Sequence, residues 1–290
     1  MSLDRAGLMP ATGSSPSRHL VRRILRNPLT VSGMIIVLIV IGLGVFAPLL
    51  TRFDPQEMTV IDRMRPPDGT YLFGTDNFGR DLFSRVLFGA RTSLQVASMV
   101  VLASTIFGVL IGTLAGYYRR LDGPLMRVMD AMMAFPAILL ALAIMAILGR
   151  SVFNVAIALT AVYTPAMARL VRSTVLAAKE YDYVEAIRAL GGRDLRLLVG
   201  HVLPNSVSVI VVQATFICVY AILAEAGLSF LGAGAPPSIP SWGNILAEGR
   251  EYMIDAPWIM ILPGVAITVT VLGLNLLGDG LRDVLDPQVR

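Results

Sequence analysis

Six stretches of this chain run without a charged side chain: residues 27–51, 92–118, 131–149, 151–168, 197–224 and 256–278. Each reaches or approaches the ~20 apolar residues that a helix needs to cross a bilayer. Inside a membrane every backbone N–H and C=O must be satisfied within its own segment, so runs of this length predict helices. The pattern therefore predicts an all-α polytopic protein with six transmembrane helices and, the number being even, both termini on one side. The division that follows is a tail over 1–27 and a membrane domain over 28–290. Within that domain lie a long loop at 51–91, a polar stretch at 173–204 and a second loop at 233–256.

The interruptions within the runs carry the next layer. Gly108, Gly112 and Gly116 recur every fourth residue, a small-residue face that lets a second helix approach closely, either as a static contact or as one that shifts. Pro136 lies inside the third run and predicts a kink there, because it removes one backbone hydrogen bond. Asp130, at the start of that run, is expected at a membrane boundary, hydrated or paired with an arginine. Glu225 ends the fifth run; an ionised group there costs at least ~2.5 kcal/mol, so it should face the bundle interior or a watery path. It sits about two turns from the end of its span, which leaves an interfacial carboxylate equally open. Glu225 and Asp130 are the two candidates for a translocation path.

Residues 180–205 form the one strongly polar segment between apolar runs, and they have a helix grammar of their own. Asp182 can cap a helix whose third residue is Glu185, and Gly191-Gly192 supplies its stop. A second short helix follows, with Leu195, Leu198, Val199 and Val202 on one face, and Pro204 is expected to end it. Two short helices meeting at a glycine pair make a knob suited to a groove on another protein.

Composition agrees with a membrane protein. Hydrophobic residues make up 55% and charged residues 15% of the chain, against about 25% charged in soluble domains. The single cysteine, Cys218, excludes an internal disulfide, and the two histidines, His19 and His201, give no metal-ligand spacing. Lys179 is the only lysine and no phosphate-binding Gly-x-x-x-x-Gly-Lys surrounds it; if ATP drives the protein, another subunit binds it with Mg, and no cofactor is expected in this chain. There is no Gly-x-Ser-x-Gly elbow, and the net charge of +4 is too modest for a nucleic-acid footprint. The chain is not expected to be an enzyme. Arg18, Arg22, Arg23 and Arg26 precede a first run too long for a signal peptide, and Ala47-Pro48 is a poor cleavage site, so that run reads as a retained span. With the tail in the cytoplasm, 16 of the 24 basic residues fall on the cytoplasmic side and 8 opposite. The positive-inside rule selects this orientation and places 180–204 in the cytoplasm.

Glu185-Ala186, Gly191 and Leu203-Pro204 stand in the frame of the EAA loop, and the chain resembles the permeases of ABC importers through it. Ile187 and His201 depart from the usual alanine and isoleucine, and His201-Val-Leu-Pro-Asn205 is similar to the dipeptide/oligopeptide branch. Gly74-Thr-Asp76, Gly79-Arg80-Asp81, the Trp242 region and Leu285-Asp-Pro287 resemble the C-type subunit of that branch. The resemblance runs from about residue 20 to the end. It implies the type I ABC importer permease fold in a bacterial inner membrane, with di- or oligopeptides, nickel or opines as the substrate class. It further implies a second related permease as heterodimer partner, two ATPase subunits, and a periplasmic or lipid-anchored solute-binding protein. Glu185, Ala186, Gly191, His201, Leu203 and Pro204 would couple to the ATPases. Gly74, Thr75, Asp76, Gly79, Arg80, Asp81 and Trp242 would lie where the binding protein docks. A secondary, ion-coupled transporter is the alternative, although no internal repeat supports it.

Overall fold

The structure, a computed structural model, describes residues 22–181 and 198–285. Helix α1 spans Pro28–Val45. The Asn27 side chain caps it by accepting the N–H groups of Leu29 and Thr30 at 2.9 and 3.2 Å, and Pro28 sits where no N–H is needed. A short helix α2, Ala47–Leu50, turns the chain into the first long loop. Then come α3 (Leu82–Tyr117), α4 (Arg119–Met133), α5 (Ala137–Leu148), α6 (Val152–Lys179), α7 (Leu203–Phe230), α8 (Trp242–Gly249) and α9 (Trp258–Leu285). Five of these are long and apolar enough to cross a membrane, and α4 with α5 makes a sixth span if the bent pair is counted as one. Among the described residues the only β feature is an isolated bridge between Thr75 and Asp81.

Three local expectations change. Pro136 does not kink a continuous helix: it stands just before the first residue of α5, and α4 meets α5 at 93°. Pro204 does not end a short helix. A π turn over Leu198–Val202 passes directly into α7, and Pro204 occupies its first turn, where a missing N–H does no harm. The first long loop is shorter than the charge-free pattern suggests, because α3 starts at Leu82 rather than at residue 92. Of the knob, Asp182, Glu185, Ala186, Gly191, Gly192 and Leu195 lie outside the described residues.

Close helix contacts organise the bundle. A Cβ added at Gly112 would lie 2.8 Å from the Val171 Cβ, and one at Gly116 would lie 2.8 Å from the Val175 Cβ; the small-residue face of α3 is filled by α6. The ammonium of Lys179 donates to the carbonyls of Gly116 and Tyr117 at 3.2 and 3.1 Å, closing the C-terminus of α3. Helix α1 packs along α9, and α7 is wedged among α3, α6 and α9.

Charges mark two levels across this bundle. At one, the backbone of Gly44 in α1 meets Arg91 of α3. At the other, Arg169 of α6 pairs with Asp130 of α4, and Arg172 pairs with Asp122, the latter with a 2.7 Å contact. Between Arg91 and Gly112, which lies against Ala168 and Arg172, α3 rises about 31 Å. That is close to the ~30 Å hydrocarbon core of a bilayer. The first turns of α3 and both long loops stand beyond the Arg91 level, the loop end. Helix α4 runs along the opposite level.

Candidate functional site

The loop end is built on the turn Gly74–Asp81. Gly74 and Gly79 have φ of 74° and 76°, a left-handed conformation that a side chain would strain. Each is also pressed against backbone, of Arg65 and Thr59 respectively. The Thr75 hydroxyl accepts the N–H of Arg65 at 2.8 Å and donates to the Asp62 carbonyl, stitching the start of the loop to its end. Asp76 Oδ1 accepts the N–H groups of Phe78 and Arg80 at 2.8 and 3.0 Å, which closes the turn. Asp81 caps α3 by accepting from the N–H and hydroxyl of Ser84 at 2.8 and 2.5 Å.

The second oxygen of Asp76 enters a charge cluster. Arg80 Nε donates to it at 2.6 Å, and Arg85 Nη1 donates to it as well. Both guanidiniums also hold Glu248 of α8: Arg80 Nη2 at 2.5 Å, Arg85 Nη1 at 2.8 Å and Arg85 Nη2 at 3.2 Å. Asp76 is fully buried and Arg85 is 1% exposed. Two carboxylates against two guanidiniums sum to zero charge, the condition under which such groups tolerate burial. This cluster locks the first long loop to the second.

Further bonds join the loops to the spans. The indole N–H of Trp242 donates to the Val86 carbonyl, and that of Trp258 to the Thr75 carbonyl, each at 3.1 Å. Asn244 Nδ2 donates to the carbonyls of Pro236 and Ile239 at 3.1 and 3.0 Å, holding the second loop against α8. Near the foot of the first loop, Asp68 accepts the N–H groups of Tyr71 and Thr70 and pairs with Arg65, each at 2.7 Å. These contacts hold its carboxyl below the usual carboxylate range. Burial and the hydrogen bond to Asp62 push the Tyr71 phenol up.

Glu225 lies just inside the boundary and is fully buried. Its two oxygens accept the hydroxyls of Ser93 and Ser229 at 2.9 Å each. The Trp242 N–H donates to the Ser93 oxygen at 3.3 Å, so one carboxyl links α3, α7 and the start of α8. Asp130 is exposed at the other boundary beside Arg169. The two path candidates thus lie at opposite levels, one enclosed within the chain and one on its surface.

The residues expected at a docking face, Gly74, Thr75, Asp76, Gly79, Arg80, Asp81 and Trp242, are all buried. Asp76, Arg80, Asp81 and Trp242 shape the loop end from within. The surface there mixes charged side chains, among them Asp54, Glu57, Arg63 and Glu251, with apolar ones such as Ile61 and Ile254, both more than nine-tenths exposed. Leu203 and Pro204 form the first turn of α7, and His201 lies in the π turn before it. Sequence reasoning passed over Arg85 and Glu248. The two stand 163 residues apart, and no local pattern brings them together.

A bundle of apolar helices with charge bands about one bilayer core apart, closed at one end by a locked pair of loops, is a multi-pass membrane protein. Two family models match it: "Binding-protein-dependent transport system inner membrane component" over residues 104–290, and "N-terminal TM domain of oligopeptide transport permease C" over residues 15–67. The chain belongs to this family of binding-protein-dependent inner-membrane components and is a C-type permease subunit of an ABC importer. In that family ATP is hydrolysed by a separate subunit. A putative peptide transport system permease protein of Brucella abortus is 51% identical over 282 residues, 97% of this chain and 95% of the relative. The dipeptide transport system permease protein DppC of Alkalihalophilus pseudofirmus is 44% identical, covering 96% of this chain and 92% of the relative. The glutathione transport system permease protein GsiD of Pectobacterium atrosepticum is 42% identical, covering 95% and 92%. Among solved structures, the inward-facing MetNI methionine ABC transporter matches with a TM-score of 0.57 at 19% identity, over 69% of this chain and 96% of that one. That likeness places the fold in the ABC importer permease group.

Proposed function

We propose that this chain passes di- or oligopeptides, or related small solutes, across the inner membrane by alternating access as one half of a heterodimeric permease. The names of the relatives, peptide, dipeptide and glutathione permeases, support the substrate class. Both termini and the 180–204 stretch face the cytoplasm, where two ATPase subunits holding ATP and Mg move that stretch. Glu185, Ala186 and Gly191 seat it; His201, Leu203 and Pro204 set its direction into α7. The observation that carries the reading is the continuity from π turn to α7. A push on the coupling stretch acts directly on a helix whose far end is tied, through Glu225, to the loop end. A solute-binding protein meets the loop end through exposed side chains such as Ile61 and Ile254, on a face whose shape Gly74, Thr75, Asp76, Gly79, Arg80, Asp81 and Trp242 maintain. Glu225 and Asp130 fasten helices and boundary rather than line the path.

Reporter fusions test orientation and coupling together. Fusions after Arg65 and after Ala235 should read as external, and a fusion after Gly192 as cytoplasmic. A cytoplasmic signal after Arg65 would put the coupling stretch on the side away from ATP, and the mechanism would fall with it.

A further inference from the structure

Helix α3 presents Arg91, Gln95 and Ser98 along one face, at i, i+4 and i+7, from the loop-end boundary inward. All three are exposed. Among the described residues Arg91 has no ion pair, whereas Arg80, Arg85, Arg169 and Arg172 each have one. The Gln95 side-chain amide likewise makes no hydrogen bond among them, while the Ser98 hydroxyl is spent on the Gln95 carbonyl at 2.9 Å. The free donors are therefore a guanidinium at the boundary and an amide about 6 Å deeper. Beside them, bordered by α1 and α9, runs a groove of about 520 Å³ whose walls include Val37, Ile41, Val45, Leu94 and Leu274.

We propose that this groove is a phospholipid site. A glycerophospholipid presents the same sequence of chemistries in the same direction: an anionic phosphate at the interface, ester carbonyls a few ångströms below, then an acyl chain. The phosphate pairs with Arg91, which the planar fork of a guanidinium suits. The Gln95 amide donates to an ester carbonyl, and one acyl chain fills the groove. An unpartnered charge on a membrane-crossing helix needs a counter-charge or water, and at this level the phosphate supplies it. The tail leaves other tails to enter the groove, so the gain comes from packing and the headgroup contacts rather than from the hydrophobic effect. The walls select a lipid over a helix of another subunit. At the Arg91 level α1 and α3 are in direct contact, with a Cβ at Gly44 only 3.3 Å from the Arg91 nitrogen. That closes the space between α1 and α3 at the boundary to a helix about 10 Å across.

The test uses the assembled importer, washed in mild detergent and then given phosphatidylglycerol, with bound lipid counted by native mass spectrometry. One lipid per copy of this chain is expected to survive washing in the wild type and in Arg91→Lys. Occupancy should fall at least fivefold in Arg91→Gln. It should fall equally in Ile41→Trp, which fills the groove from α1 and leaves the charge in place, so the result does not depend on Arg91→Gln assembling. Inorganic phosphate at the same concentration should leave occupancy unchanged. Equal retention in wild type and Ile41→Trp, displacement by inorganic phosphate, or a cross-link from Gln95→Cys to a partner subunit would each overturn the proposal.

Discussion

Asp76 is a carboxylate with no access to water, and four donors replace its hydration: two turn N–H groups and two guanidiniums. Removing its charge leaves Arg80 and Arg85 sharing Glu248 alone. Breaking a buried ion cluster in this way costs about 3–5 kcal/mol, so Asp76→Asn should lower the thermal stability of the purified complex sharply. An unchanged melting temperature would mean that the two loops are not held by this cluster. Glu225 follows a different rule, since its partners are hydroxyls. Glu225→Gln keeps an oxygen and adds a donor to which a serine can respond by accepting, so complex yield should stay near wild type. Glu225→Leu strands two buried hydroxyls at about 1–3 kcal/mol and should lower the yield. A Leu variant that assembles and transports normally would show that the link between α3, α7 and α8 is dispensable.

Helix contacts are the next scale, and the α3–α6 pair offers a clean comparison. A side chain at Gly112 would enter Val171 and the α6 backbone, whereas one at Gly42 meets nothing within 4 Å. Gly112→Leu should cost about 1–3 kcal/mol through overpacking, and Gly42→Leu should stay within about 0.5 kcal/mol, read as detergent half-life of the complex. Equal effects would dissolve the distinction. The glycine repeat of α3 was legible from spacing alone, as were the six apolar runs. The start of α3 was not, because Arg85 and Arg91 broke the charge-free pattern, and absence of charge is a membrane criterion rather than a helix criterion. The right-angle turn between α4 and α5 was hidden for another reason. Pro136 signals only a break; the direction of α4 follows from Arg169 and Arg172 of α6 reaching Asp130 and Asp122, contacts that no local pattern encodes.

At the scale of the whole molecule, one end is sealed by interlocked loops and the other leads through a π turn into α7. Under the proposed coupling, these two ends are joined to an energy source outside the chain. The most direct measurement is uptake of a labelled dipeptide into proteoliposomes holding the complete importer with its binding protein. Uptake should require ATP on the side of the 180–204 stretch and persist when ion gradients are collapsed. It should fall to background for Gly191→Trp while the ATPase subunits remain bound. Uptake that follows an ion gradient without ATP, or wild-type uptake by Gly191→Trp, would contradict it.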